Sequence, residues 1–246
     1  GGARRSRQKK AQQAREDWDY VSQTYTDVAQ RLREIDIRAH SLQSGLVDER
    51  LREDWEGLRD DFLAIDDKVG SLMSIPADAP DEQFRSRSVL IARARLLCER
   101  VETAEANIEK LHRIENADPD TRRYELYELG KDLAQAGYLA ADIDSALERH
   151  AKELEDAAVA LSKEPNHPQF MERYLELLDR TALLSEHLQA QLQKENEAEE
   201  RPVRTHIYDS HFFAGSGYHG YVPFYVVSTW DSDATAARDS SSGSSG

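Results

Sequence analysis

Apolar residues recur every three and four positions along most of this chain, and that spacing predicts long helices. The first series runs Trp18, Val21, Tyr25, Val28, Leu32, Ile35, Ala39 and Leu42. This is a heptad seam, a narrow stripe that a helix buries against its neighbours while the rest of its surface stays in water. A second seam follows through Leu51, Trp55, Leu58, Phe62, Ile65, Val69 and Leu72, and a third through Leu90, Ala94, Leu97, Val101, Ala104, Ile108 and Leu111. The fourth reads as one helix from Leu126 through Leu129, Leu133, Ala136, Ala140, Ile143, Leu147, His150, Leu154 and Ala157 to Leu161. Phe170, Tyr174, Leu177, Thr181, Leu184 and Leu188 form the fifth. Strands would alternate with period two, so the seams exclude a sheet as the main architecture.

The residues between seams are helix breakers and caps. Gly45 suits a C-terminal cap and Asp48 an N-cap. Pro76 and Pro80 interrupt the chain, and Asp81 is placed to cap the helix that follows. Asp118 before Pro119 reads as N-cap and first helical residue, and residues 165 to 168 separate the fourth helix from the fifth. Short connections make consecutive helices antiparallel neighbours. The expected fold is therefore all-α, an elongated antiparallel bundle of about five long heptad-patterned helices, roughly 40 to 65 Å long, with an irregular C-terminal tail.

Composition changes this picture little, and charge changes it more. Of 246 residues, 32% are charged and 39% hydrophobic, a natural balance for thin helices with solvated faces. The single cysteine, Cys98, forms no internal disulfide and reads as a packing residue. Residues 1 to 15 contain Arg4, Arg5, Arg7, Lys9, Lys10 and Arg15 and no carboxylate, whereas residues 16 to 200 hold 23 basic and 43 acidic side chains. So acidic a body repels a phosphate backbone, which argues against nucleic-acid binding. The basic start has two readings: a solvated helix end, or a juxtamembrane segment. On the second, a transmembrane helix precedes Gly1, the chain is a piece of a longer protein, and Arg4, Arg5, Arg7, Lys9 and Lys10 lie at the cytoplasmic membrane surface.

Beyond residue 200 the pattern changes. Residues 210 to 230 carry no Asp, Glu, Lys or Arg but contain Phe212, Phe213, Tyr218, Tyr221, Phe224, Tyr225 and Trp230, and the chain then ends in Ser and Gly. The aromatic patch either docks transiently on the protein's own helices or contacts partners or a membrane surface, with Tyr221, Phe224, Tyr225 and Trp230 as the anchors for partner contact. The organisation is thus a basic start over 1–15, a coiled-coil-like bundle over 16–200, and an aromatic then Ser/Gly-rich tail over 201–246.

Several motifs carry chemistry in other settings. Gly215, Gly217 and Gly220 spell GxGxxG, but a dinucleotide site needs a strand before the motif and a helix after it. Glu109 and His112 have the Glu-x-x-His spacing of bundle di-iron sites, without the second pair such a site requires. His206, Asp209, His211 and His219 could gather a weakly held metal, yet their spacing fits no zinc pattern. His150 on the fourth seam reads as a core histidine. No catalytic constellation emerges, so no enzymatic role, cofactor or metal is expected.

Residues 4 to 10, the five seams, residues 218 to 230 and the Ser/Gly end at 240 to 246 together resemble the C-terminal part of actinobacterial TPM-domain membrane proteins. In that family a TPM domain outside the cell precedes a transmembrane helix, a cytoplasmic coiled coil and a Gly/Ser/Phe-rich tail. The TPM domain itself has no counterpart in this chain, so its activity does not carry over. The resemblance implies a non-enzymatic, membrane-tethered interaction or scaffolding module on the cytoplasmic side of the plasma membrane, with protein partners. The alternative is a ligand-binding regulatory or transport-associated helical bundle. Filled seams favour the first and a polar-rimmed cavity the second.

Overall fold

The computed structural model describes residues 1–43 and 49–198, and among them it contains eight helices and no strand. They are α1 (Gly2–Ala39), α2 (Glu49–Ala64), α3 (Asp66–Met73), α4 (Asp81–Arg85), α5 (Ser88–Glu115), α6 (Pro119–Ala140), α7 (Ser145–Ser162) and α8 (Phe170–Ala198). The chain is a helical bundle. Its longest member, α1, has 38 residues and therefore measures about 57 Å at ~1.5 Å per residue.

Burial follows the apolar spacing. Val21, Tyr25, Val28, Leu32, Ile35 and Ala39 of α1 are all buried, as are Trp55, Leu58, Phe62, Ile65, Val69 and Leu72. Trp55 and Phe62 are wholly enclosed, and the Phe62 ring stacks on Tyr25 at 4.7 Å between centroids. Trp18 remains partly exposed because its indole N–H donates to the Leu72 carbonyl at 2.7 Å while its ring meets the edge of Phe84. An indole with one polar end commonly sits this way at the margin of a core.

Polar ties set the direction of each helix. Asp36 accepts hydrogen bonds from Trp55 Nε1 and from Arg59, each at 2.8 Å, and Tyr25 donates to Asp66, so α2 and α3 run back along α1. Arg95 reaches Asp17, Arg31 reaches Glu105, and Arg38 clasps Glu109 through two bonds of 2.8 Å. These pairs advance together along both helices, so α5 lies parallel to α1. Parallel neighbours follow because α2 and α3 between them carry the chain back to its starting level. Beyond α5 the chain reverses: Arg122 of α6 donates to the carbonyls of Ile114 and Glu115, and Lys110 of α5 pairs with Glu125 of α6 at 2.8 Å.

Two expectations are corrected. The fourth seam is not one helix. It breaks at residues 141–144, where the Asp144 carboxylate turns to accept the backbone N–H groups of Ala146 and Leu147 and starts α7 afresh. The buried face of α7 is accordingly Ala151, Leu154, Ala158 and Leu161, while Ala157 is exposed and His150 half-buried beside Glu153. Small residues let α6 and α7 close tightly on each other; a Cβ added at Gly137 would lie 3.7 Å from that of Ala151. Asp81 does not cap a helix either: Pro80 is the N-cap of α4, and the Asp81 carboxylate instead takes Arg15 at 2.8 Å. Asp118, by contrast, caps α6 with a 2.7 Å bond from the Thr121 N–H. The expected caps Gly45 and Asp48 lie outside the described residues.

These environments rank two substitutions. Trp55→Ala should cost about 3 to 5 kcal/mol, the range for emptying an enclosed aromatic site, whereas Asp144→Ala should cost about 1 kcal/mol through its lost cap. Reversible urea unfolding followed by circular dichroism measures both, and a Trp55→Ala loss under about 1 kcal/mol would show that this seam does not form core.

Candidate interaction surfaces

The basic start occupies the first turns of α1. Arg4, Arg5, Arg7, Lys9 and Lys10 are all exposed, and none takes an ion-pair partner among the described residues. At about 100° per residue they spread around the helix and form a collar rather than one basic face. The first turn has no acidic residue, so five cations crowd the positive end of the helix dipole, the end that favours anions. Packing begins at Ala11 and Ala14, both buried, and the first polar anchor is Arg15, which bonds the carbonyls of Ala77 and Ala79 and lies over the Phe84 ring at 4.2 Å.

The Glu-x-x-His pair is occupied by one residue. Arg38 engages Glu109 with its guanidinium, and its carbonyl accepts a 2.8 Å bond from His112 Nε2. The Arg38 bond holds the Glu109 carboxyl below the usual carboxylate range. Both side chains therefore serve to fasten α1 to α5. Cys98 is fully buried, and burial together with Glu102 and Glu99 pushes its thiol up to about 12, which leaves it unreactive at neutral pH. Tyr221, Phe224, Tyr225 and Trp230, the GxGxxG glycines Gly215, Gly217 and Gly220, and the cluster His206, Asp209, His211 and His219 lie outside the described residues.

A surface absent from the sequence expectations lies on α6. Tyr124, Tyr127 and Tyr138 are 65%, 62% and 78% exposed. With Lys131, which sits over the Tyr127 ring, and with Ala134 and Gln135, they fill an arc of about 100° along the helix. Glu125, Glu128 and Asp132 all fall outside that arc. The signal was in the sequence as offsets of three, seven and fourteen residues from Tyr124, on the face opposite Leu126, Leu129 and Leu133.

No known protein family, curated protein or solved structure matches this chain. Its surfaces must therefore be judged on their chemistry. No described helix is long and apolar enough to cross a membrane. The clefts of the described surface include two that lie between or beside helices. One of about 240 Å³ lies between α7 and α8, floored by Ala157, Leu161 and Leu177 with Arg173 and Arg180 on its rim. The other, about 160 Å³, lies beside the Arg38 and Glu109 pair.

One charged group is enclosed where α5, α6 and α8 meet. Lys110 is only 4% exposed; its ammonium pairs with Glu125, which also accepts a 2.8 Å bond from the Tyr174 hydroxyl. Burial lowers Lys110 to about 8, although Glu125 opposes the shift. The pair ties α5 to α6.

The lysine has a pH signature. Its folded pKa lies below the ordinary value of about 10.4, so across that window the unfolded chain binds more protons and this group's contribution to stability rises with pH. Cys98, raised instead, acts in the opposite direction at higher pH. The Lys110 share is isolated by comparison with Lys110→Met. The stability difference, wild type minus variant, should shift toward the wild type between pH 7.5 and 10 in paired urea titrations, and a constant difference would refute the depressed pKa.

Proposed function

We propose that this chain is a non-enzymatic interaction or scaffolding module, held at the cytoplasmic side of the plasma membrane by a transmembrane helix that precedes the basic collar. The observation that carries this reading is the collar itself. Five exposed cations at the positive end of α1 repel one another and the helix dipole, and an anionic leaflet relieves that repulsion. The acidic body is repelled by the same leaflet, which leaves the α1 end as the part suited to face the membrane. The tail, with Tyr221, Phe224, Tyr225 and Trp230, then supplies the contact to protein partners. Likeness to the cytoplasmic part of actinobacterial TPM-domain proteins supports the same arrangement of collar, coiled-coil bundle and tail.

Filled seams favour this over the ligand-binding alternative. Trp55, Phe62, Phe84, Phe170 and Tyr174 occupy the interior, and the clefts of about 240 and 160 Å³ beside α7 and beside Arg38 are each smaller than the roughly 300 to 1,000 Å³ usual for small-molecule sites.

Vesicle sedimentation tests the collar. The chain should bind vesicles containing anionic phosphatidylglycerol at low salt, release them as salt rises, and ignore neutral phosphatidylcholine vesicles. The variant Arg4→Glu, Arg5→Glu, Arg7→Glu, Lys9→Glu, Lys10→Glu should lose binding, each cation near the surface being worth about 1 kcal/mol. Binding that survives charge reversal, or no binding by the parent chain, would overturn the membrane-facing role.

A further inference from the structure

The exposed face of α6 has no partner among the described residues, and its chemistry selects an occupant. Over the fifteen residues from Tyr124 to Tyr138, about 21 Å of helix, it offers three exposed tyrosine rings, two neutral side chains and one cation, and the carboxylate that flanks it, Glu128, is paired with that cation, Lys131, at 3.6 Å. The rest of the body is dominated by carboxylates, 43 against 23 basic groups over residues 16 to 200. A segment without charge that lay on those other faces would strip water from carboxylates and return no ion pair to them. On the α6 face the penalty is smaller, because the one flanking carboxylate already has Lys131 as its partner.

Residues 210 to 230 match it. They contain seven aromatic rings and no Asp, Glu, Lys or Arg. Position matches as well. The Arg122 guanidinium lies over the Phe170 ring at 4.4 Å and Tyr174 bonds Glu125, so α8 starts level with the beginning of α6 and runs in its direction. From those level points α8 continues 24 residues to Ala198 and α6 only 15 to Ala140, so α8 overshoots by nine residues, about 14 Å. The chain thus leaves α8 beyond the Tyr138 end of the stripe. Residues 199 to 209 can span roughly 35 Å, ample for a return over that distance.

We propose that the tyrosine stripe of α6 is the docking site of the chain's own aromatic segment, residues 210 to 230, an autoinhibitory contact that holds the partner-binding aromatics against the bundle. Linkage through so short a connector gives the segment an effective concentration on the order of millimolar at the stripe, so weak aromatic contacts suffice to populate the closed form. A partner must compete for the same rings and release them. The inhibitory consequence rests on the tail's proposed partner-binding role; the contact itself depends on neither that role nor the membrane.

Photo-cross-linking in the full chain tests it. Benzoylphenylalanine replaces Gln135, at the edge of the stripe, and an equal mixture of ordinary and ¹⁵N-labelled chains is irradiated and read by peptide mass spectrometry. The expected result is a cross-link to residues 210 to 230 within chains of one label, reduced at least fivefold by Tyr124→Ser, Tyr127→Ser, Tyr138→Ser at unchanged melting temperature. Cross-links joining the two labels would mean that a second copy occupies the stripe. That outcome, capture of any other segment, no cross-link, or a yield indifferent to the triple substitution would each overturn the proposal. The collar variant should cross-link as the parent does, so failure in the vesicle assay and failure here are separate results.

Discussion

A helix buried over most of its circumference has to be surrounded, and α5 imposes that condition on this fold. Its buried residues, from Ile91 and Ala94 through Leu97, Arg100, Ala104 and Asn107 to Lys110 and Ile114, cover roughly two thirds of the helix when placed at 100° intervals. No single neighbour can cover so wide an arc. The side carrying Ile91, Ala94 and Cys98 is apolar and small, suited to close approach. Arg100, Asn107 and Lys110 gather on the other side, the one from which Lys110 reaches Glu125 of α6. α1, α2 and α3 pack along this helix, and α6, α7 and α8 pack on one another beyond it.

The polar ties then decide which neighbour goes where. Apolar stripes are interchangeable, since one Leu and Ala seam packs on another in many registers. Two-bond clasps are not, and Arg38 on Glu109, reinforced by His112 on the Arg38 carbonyl, fixes α1 against α5 in direction and level together. Most of these ties are half-exposed and individually weak. Their effect lies in selecting one arrangement among several of similar hydrophobic content. Asp36 illustrates the point: burial alone would raise its carboxyl, but bonds from Trp55 and Arg59 outweigh that and keep it below the usual range.

The seams made the helices legible, because a period between three and four leaves few alternatives for an apolar stripe. The cap at Asp118 was legible because Pro119 follows it, whereas at Asp81 the preceding proline itself takes the N-cap position. The break at residues 141–144 was not. Nothing there forbids a helix, and Ile143 and Leu147 continue the spacing; only the Asp144 cap and the gain from folding α6 onto α7 through Gly137 and Ala151 favour the turn. The parallel course of α1 and α5 was equally hidden, since it depends on pairs more than seventy residues apart. Of the candidate surfaces, the basic collar was visible as a charge run. The α6 tyrosines were not, because an apolar pattern directs attention to the buried face and says nothing of its opposite.

The direction of α1 bears on how the protein is made. Its partners Glu105, Glu109 and His112 lie 71 to 74 residues downstream of Arg31 and Arg38, whereas α6 and α7 meet across a four-residue turn. Contacts so distant in sequence form late, and a hairpin forms early. During synthesis α2 and α3 therefore reach α1 before α5 does, Phe62 covering Tyr25 while the rest of the stripe waits for α5 to follow. For that interval the nascent chain is a long amphipathic helix with a half-covered apolar side and a cationic tip, the form in which it most needs either a chaperone or a surface to rest on.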